Sequence, residues 1–438
     1  MKIKTTEFSQ RFSLRRQRWW GISVMVTAGL VVSACTAPSD VIVTETATLA
    51  PAAARDESST TTAPGTEAET AGTTPSVEPG LNIVSMPSFG SADLAPVTAV
   101  TITVFNASIT ALAVTSDTDQ AALTGQISPD GSTWTLTERM SYATTYEVSG
   151  KATGRDGVEA PITGTYSTVA PADTQRASFQ LIEGGVYGVA VPIIVTFAGT
   201  VADKAAAERT FKVVTDKDDI EGSWAWLQEE DIQGTGTFQS RAHFRPEEYW
   251  PGNTNVTVTA DLYGVNLGGG AWGREDLARN FTIGRSQITI ADVNTFRLVV
   301  NVDGVESKNY PVSYGRSTED PELETRSGVH VVQEKFDVFE MCNPKYGYCG
   351  FKANWAVRIS NNGEFIHENA AVTASLGIEN VSHGCVNMSP ADAKDFYDNA
   401  LYGDPVEVSG TSTQLSPADG DIFDWTYSYQ QWRTFSAL

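Results

Sequence analysis

Apolar and polar residues alternate along short runs through most of this chain, and a period of two is the signature of a half-buried strand. Val100, Ile102 and Val104 alternate with threonines, and Val256, Val258, Ala260 and Leu262 alternate with Thr257, Thr259 and Asp261. Phe296, Leu298, Val300 and Val302 repeat the pattern before Asp303-Gly304, a hairpin turn signal, and Tyr310-Pro311-Val312 returns. Gly, Pro, Asp and Asn separate the runs, which points to antiparallel sheets packed as sandwiches. A mainly β protein is expected. At 438 residues it is several domains rather than one. A second start near Tyr187-Gly188-Val189-Ala190-Val191-Pro192 divides the β-rich region into two modules, each long enough for its own core.

The first 35 residues read as an export leader: a basic stretch from Lys2 to Arg18, then the apolar run Gly21 to Ala34, too short for a comfortable membrane span. The run ends in Val32-Ser33-Ala34-Cys35, which resembles a bacterial lipobox, so Cys35 is expected to carry a lipid anchor. A plain cleaved signal is the alternative. Residues 36–80 are rich in Thr, Ala, Ser, Pro and Glu and lack aromatics, and read as a disordered tether. Removing the leader takes six basic residues and one acid, leaving 24 basic against 52 acidic and a net charge of −28. That balance argues against nucleic acid and against direct binding to anionic lipid. It suits a protein of the wall space outside the membrane.

The stretch Ser382-His383-Gly384-Cys385-Val386-Asn387-Met388-Ser389 carries the chemistry. A thiol attacks a carbonyl as thiolate, and an imidazole is its usual activator. N–H donors must meet the oxygen of the tetrahedral intermediate, and a glycine beside the nucleophile allows close approach. Cys385, Gly384, His383 and the upstream His367 supply these parts. Ser389 is a good N-cap and Pro390 suits the first helical position, so a helix should follow. The bland alternative is a buried cysteine beside a surface histidine. His367, His383 and Cys385 do not match a common zinc spacing, and no metal or cofactor is expected.

The full string resembles the active-site signature of the L,D-transpeptidases, cysteine enzymes that cross-link peptidoglycan. That signature is a histidine, then Ser/Thr-His-Gly-Cys-hydrophobic-Asn, then a helix. Here it reads Gly363-Glu364-Phe365-Ile366-His367 followed by Ser382-His383-Gly384-Cys385-Val386-Asn387. The strand-like Trp355 to Ile359 with its turn, and Asp424-Trp425 with Gln431-Trp432 in the tail, are also similar to multidomain actinobacterial members. The resemblance implies two immunoglobulin-like β-sandwich domains (81–172 and 173–285), a β-rich catalytic domain with a short helix after the cysteine (286–408), and a small C-terminal subdomain (409–438). It implies Cys385 as nucleophile and His367 as general base, oriented by the backbone carbonyl of Glu368. The amides of His383, Gly384 and Cys385 would face the oxyanion. Asn387 would hold the loop or substrate in register, and Tyr346 and Tyr348 would line the substrate path from a lid loop, 341–351. Stem peptides of peptidoglycan are the implied substrates, and β-lactams of the carbapenem type the implied covalent inhibitors. Two readings stand beside this: an L,D-carboxypeptidase, with water in place of the amine, and a wall-binding module without activity. The family often has Ser-Ala-Pro-Trp after the base histidine, whereas His367 is followed by Glu368-Asn369-Ala370-Ala371, which alters the expected substrate contacts.

If Cys35 is lipidated and Cys385 stays free, Cys342 and Cys349 remain, and in an oxidising compartment a disulfide across the lid is expected. Free thiols, a metal pair, or a regulatory pairing with Cys385 are the alternatives. His243 reads as structural or surface, His330 as structural, and Trp224-Ala225-Trp226 as packing. Trp425 and Trp432 are expected to pack back on the catalytic domain.

Overall fold

The computed structural model describes residues 80–217, 220–316, 320–417 and 424–438. The expectations for the leader, for Cys35 and for the tether before Gly80 lie outside the described residues. No helix among the described residues is long and apolar enough to cross a membrane.

The alternating runs become the strands of two sandwiches. In the first, Asn82–Met86, Thr101–Phe105, Thr133–Leu136 and Gly125–Ile127 form one sheet in that order. Ala122–Leu123, Ala107–Ser116, Thr145–Gly154 and Glu159–Ser167 form the other. Ile102, Trp134, Tyr146, Ile162 and Tyr166 close the core between them. Each such side chain contributes roughly 1.5–3 kcal/mol of transfer free energy. The threonines alternating with them lie on the outer face, half-buried or exposed, where Thr103 and Thr133 share a hydrogen bond across the strands (3.2 Å). The second sandwich pairs the sheet Ala177–Phe179, Ile193–Phe197, Arg241–Pro246, Gly222–Trp226 with the sheet Val186–Tyr187, Leu277–Ile283, Thr254–Ala260, Phe211–Thr215. Aromatic and hydrogen-bonded contacts join the two sandwiches. The Tyr142 hydroxyl donates to the Gly273 carbonyl (2.8 Å) and accepts from the Gly264 amide (2.9 Å), and its ring meets Tyr263 at 5.2 Å.

The third unit opens with a five-stranded sheet in the order Val305–Pro311, Arg297–Val302, Gln287–Asp292, Pro405–Ser409, Gly328–Val331. Gln287–Asp292 runs parallel to Pro405–Ser409, so the two ends of this unit meet in one sheet. A four-stranded sheet packs on it: Glu334–Asn343, Tyr348–Arg358, Phe365–Glu368, Val386–Met388. Leu298, Val300, Ile366, Val386 and Met388 share the core with Phe396 of the helix Pro390–Asn399. Ser389 caps that helix as its sequence requires, its hydroxyl accepting from the Asp392 amide at 3.2 Å.

Two expectations change here. The lid is not a loop but the end of a long β-hairpin, with Cys342 paired across the strands with Cys349 in a disulfide. A single turn of 3-10 helix, Pro344–Tyr346, reverses the chain, and Gly347 supplies the positive φ of 75° that ends it. The tail packs mainly on the second sandwich rather than on the catalytic unit. The Trp432 indole donates to the Ser223 carbonyl (2.9 Å), and the Arg245 guanidinium lies 4.5 Å from the Trp425 ring and 5.2 Å from the Trp432 ring. Buried His243 Nδ1 meets both carboxylate oxygens of buried Asp424 at 3.0 and 3.1 Å. The tail therefore covers the outer face of strand Arg241–Pro246, all six residues of which are buried. Trp425 sits at the seam, its indole donating to the Ala190 carbonyl (2.9 Å) beside Val331 and Tyr402 of the catalytic unit.

Candidate active site

His367 lies in the strand Phe365–Glu368, which is parallel to Val386–Met388, and the register sets His367 against Asn387. Cys385 is the residue immediately before that second strand, so the sheet itself places base and nucleophile at neighbouring strand ends. The Ser360-Asn361-Asn362-Gly363 turn delivers the chain into Phe365 and fixes which residue falls at the pairing position.

Burial encloses the His367 ring, and its Nδ1 lies 2.8 Å from the Glu368 carbonyl oxygen. A carbonyl only accepts, so Nδ1 carries the proton and Nε2 presents its lone pair. This is the orientation expected from the resemblance. Burial holds the imidazole below its ordinary value, opposed by the Glu368 carbonyl bond and the Glu368 charge. The Glu368 side chain is not free for substrate: it accepts from Asn354 Nδ2 (2.7 Å) and from the Ala370 amide (2.9 Å).

Cys385 is partly exposed and is the one free cysteine among the described residues. Its Sγ donates to the Gly363 carbonyl at 3.6 Å. Burial of the sulfur pushes the thiol up to about 12, a hydrogen bond from the Phe365 amide acts in the opposite direction, and the Glu364 carboxylate adds to the rise. Thiol and imidazole are therefore both neutral at rest around pH 7. The thiol thus depends on a base to take its proton for attack.

His383 is exposed, and Arg316 Nη2 donates to its Nε2 at 3.2 Å. Burial and then Arg316 lower its affinity for a proton. Its ring is thus occupied, which leaves the role of base to His367. Tyr346 and Tyr348 each approach the His383 ring at 5.5 Å, so the lid tyrosines rest on the nucleophile loop. Gly384 has φ of +118°, a conformation that disfavours any side chain, although a Cβ there would meet nothing closer than 3.6 Å. Its amide donates to Ser382 Oγ at 3.1 Å, so it is not the free oxyanion donor that the motif suggested. Asn387 is buried, and its Oδ1 accepts from Asn369 Nδ2 at 3.4 Å, a loop-holding contact.

A cavity of about 340 Å³ is lined by Tyr346, Tyr348, Phe351, His367, His383 and Cys385. A second, more polar one of about 310 Å³ is lined by Arg326, Arg358, Glu364, Phe365, Gly384 and Cys385. Cys385 faces both. Among the described residues no group of three or more His, Cys, Asp or Glu is arranged to hold a metal ion. His330 is buried, its Nε2 donating to the Arg326 carbonyl at 2.8 Å and its Nδ1 3.6 Å from Glu364. Ser382, Thr325 and Glu364 support the loop and were not singled out from the sequence. Ser382 stood inside the motif, whereas Thr325 lies in a segment with no periodicity to mark it.

The L,D-transpeptidase catalytic domain family matches residues 286–408, and a bacterial Ig domain family matches residues 91–266. L,D-transpeptidase 5 of Mycobacterium tuberculosis (strain ATCC 25618 / H37Rv) is 42% identical over 360 residues, which is 82% of this chain and 78% of that protein. The chain belongs to the L,D-transpeptidase family. L,D-transpeptidase 2 of M. tuberculosis (strain CDC 1551 / Oshkosh) is 32% identical over 345 residues, 77% of this chain and 80% of its own. A crystal structure of L,D-transpeptidase 3 from M. tuberculosis, in complex with a faropenem-derived adduct, is 27% identical with a TM-score of 0.42, over 53% of this chain and 97% of that one. This L,D-transpeptidase places the catalytic unit after its Ig-like β modules and carries a short helix behind the cysteine.

Proposed function

We propose that this L,D-transpeptidase forms 3→3 cross-links in peptidoglycan, acting outside the membrane on a lipid anchor at Cys35. The observation that carries the chemistry is the cavity shared by Cys385 and an His367 whose Nε2 is free. The Cys385 sulfur attacks the carbonyl between the third residue of a tetrapeptide stem (a diamino acid) and its terminal D-alanine. His367 Nε2 takes the thiol proton and passes it to the departing D-alanine amine, leaving a thioester. The side-chain amine of a second stem's diamino acid then attacks the thioester and gives its proton to His367. A new amide forms, and Cys385 regains its proton.

Access to Cys385 from two cavities favours an amine acceptor over water, since one stem can occupy one side while the other supplies the nucleophile. The disulfide-closed lid with Tyr346 and Tyr348 borders both of these. Incubation with tetrapeptide stems distinguishes the readings: cross-linked dimer supports transpeptidation, and trimmed tripeptide alone supports the carboxypeptidase. Carbapenems present a strained acyl donor to the same thiol, and a single drug adduct on Cys385, absent from Cys385→Ala, is expected. For the anchor, Cys35→Ala should release the protein from the membrane fraction, and unchanged fractionation contradicts it.

A further inference from the structure

The nucleophile loop is held from below by a side chain that lines neither cavity. Thr325 is fully buried; its hydroxyl donates to the Gly384 carbonyl at 2.8 Å and accepts from the Gly315 amide at 2.9 Å. The segment around it packs tightly under the loop. The Arg316 amide donates to the Ser382 carbonyl and the Ser382 amide to the Tyr314 carbonyl, both at 3.1 Å. Ser382 works from within the loop, its hydroxyl accepting from the Gly384 amide and donating to the Cys385 carbonyl at 2.5 Å.

The peptide joining Gly384 to Cys385 is trans, and in a trans peptide the C=O and the N–H point in opposite directions. Anchoring the Gly384 carbonyl on the buried Thr325 hydroxyl therefore turns the Cys385 N–H away from Thr325 and from the segment beneath the loop. The neighbouring plane is used up, because the Gly384 N–H is spent on Ser382. Ser382 holds the groups on either side of that plane, but the Gly384 carbonyl itself is held by Thr325, and glycine at φ +118° has the widest backbone freedom of any residue.

We propose that Thr325 is a positioning residue for catalysis, which sets the Cys385 amide as the oxyanion donor by holding the Gly384 carbonyl. The inference rests on Cys385 being the acyl-accepting nucleophile. It acts on acyl transfer, where negative charge builds on a carbonyl oxygen, and not on alkylation, where the thiolate displaces iodide and no oxyanion forms.

That difference supplies the test. The full exported protein and its Thr325→Val and Thr325→Ser variants are reacted separately with a carbapenem and with iodoacetamide, and adduct formation at Cys385 is timed by intact mass. Losing an oxyanion donor outright costs 10²–10³-fold, so misdirecting one in Thr325→Val should slow acylation on the order of 10–10²-fold. Iodoacetamide alkylation should be unchanged, and Thr325→Ser should recover the wild-type ratio of the two rates. Thr325→Ala gives the same reading should the valine variant not fold. Acylation as fast as wild type, or acylation and alkylation falling together, overturns the proposal, the latter because it marks a loop that has merely lost its shape. A wild-type protein that is alkylated at Cys385 but never acylated there instead defeats the functional reading beneath it.

Discussion

His367 and Cys385 divide the work of one proton transfer, and substitutions should separate their roles. His367→Ala is expected to lose roughly 10²–10⁴-fold in turnover while melting like the wild type, as removal of a general base does. His383→Ala should lose less, because its ring nitrogen already accepts from Arg316 and its offering to the substrate is a backbone N–H. Steady-state rates with stem peptide check the order, and a reversed order overturns the base assignment. The pH dependence follows from the two shifts. The base works as neutral imidazole, and its value in the folded protein lies below the ordinary 6.5, so kcat/KM should hold through neutral pH and fall only as pH drops through that depressed value. The thiol lies near 12 instead of 9.0, so iodoacetamide labelling of Cys385 should keep rising above pH 9 with no plateau in the neutral range. A plateau near pH 7 would reveal a resident thiolate. At this scale the motif made the site legible, since nucleophile, base and helix cap are short-range signals. The engagement of the Gly384 amide by Ser382 was not, because a spacing of residues says nothing about which hydrogen bonds a hydroxyl completes.

The lid hairpin and the helix behind the cysteine show what the sequence exposes at the level of elements. Ser389, Pro390 and Asp392 announced the helix because capping is local chemistry. The resemblance implies a lid loop at 341–351, whereas the strands Glu334–Asn343 and Tyr348–Arg358 stay paired out to Asn343 and Tyr348, and Asn343-Pro344-Lys345-Tyr346-Gly347 marks only the turn. What holds its tip is covalent and polar: the Cys342–Cys349 bond, the Tyr346 hydroxyl on Asp320 Oδ2 (2.9 Å), and Lys345 Nζ on Glu322 Oε2 (2.5 Å). The loop closed by the disulfide is short, so its removal should cost about 2.5 kcal/mol at most on the chain-entropy model. The expected effect of Cys342→Ser with Cys349→Ser is therefore local: faster amide hydrogen exchange over residues 341–351, with the rest of the protein unchanged. Equal exchange in the two proteins would show that the polar contacts alone hold the lid.

Across the whole molecule, the three β units were legible from period-two runs, but the way the tail secures them was not. His243 and Asp424 meet across 181 positions, and a contact of that range leaves no pattern in either stretch. Strand Arg241–Pro246 is buried on both faces because the tail covers it, which makes His243 a structural residue and not a surface one. Trp432 is wholly buried there, so Trp432→Ala should destabilise by roughly 3–5 kcal/mol and lower the melting temperature, while activity per folded molecule is retained. An unchanged melting temperature would mean that the tail is an appendage. The central claim, that Cys385 carries the acyl group from one stem to another, is tested most directly by intact-mass analysis of the protein during turnover of tetrapeptide stems. The account predicts a thioester on Cys385 with D-alanine lost, consumed as 3→3 dimer appears, and neither species with Cys385→Ala. Dimer formed by the Cys385→Ala protein, or turnover in the wild type with the acyl group on another residue, would contradict it.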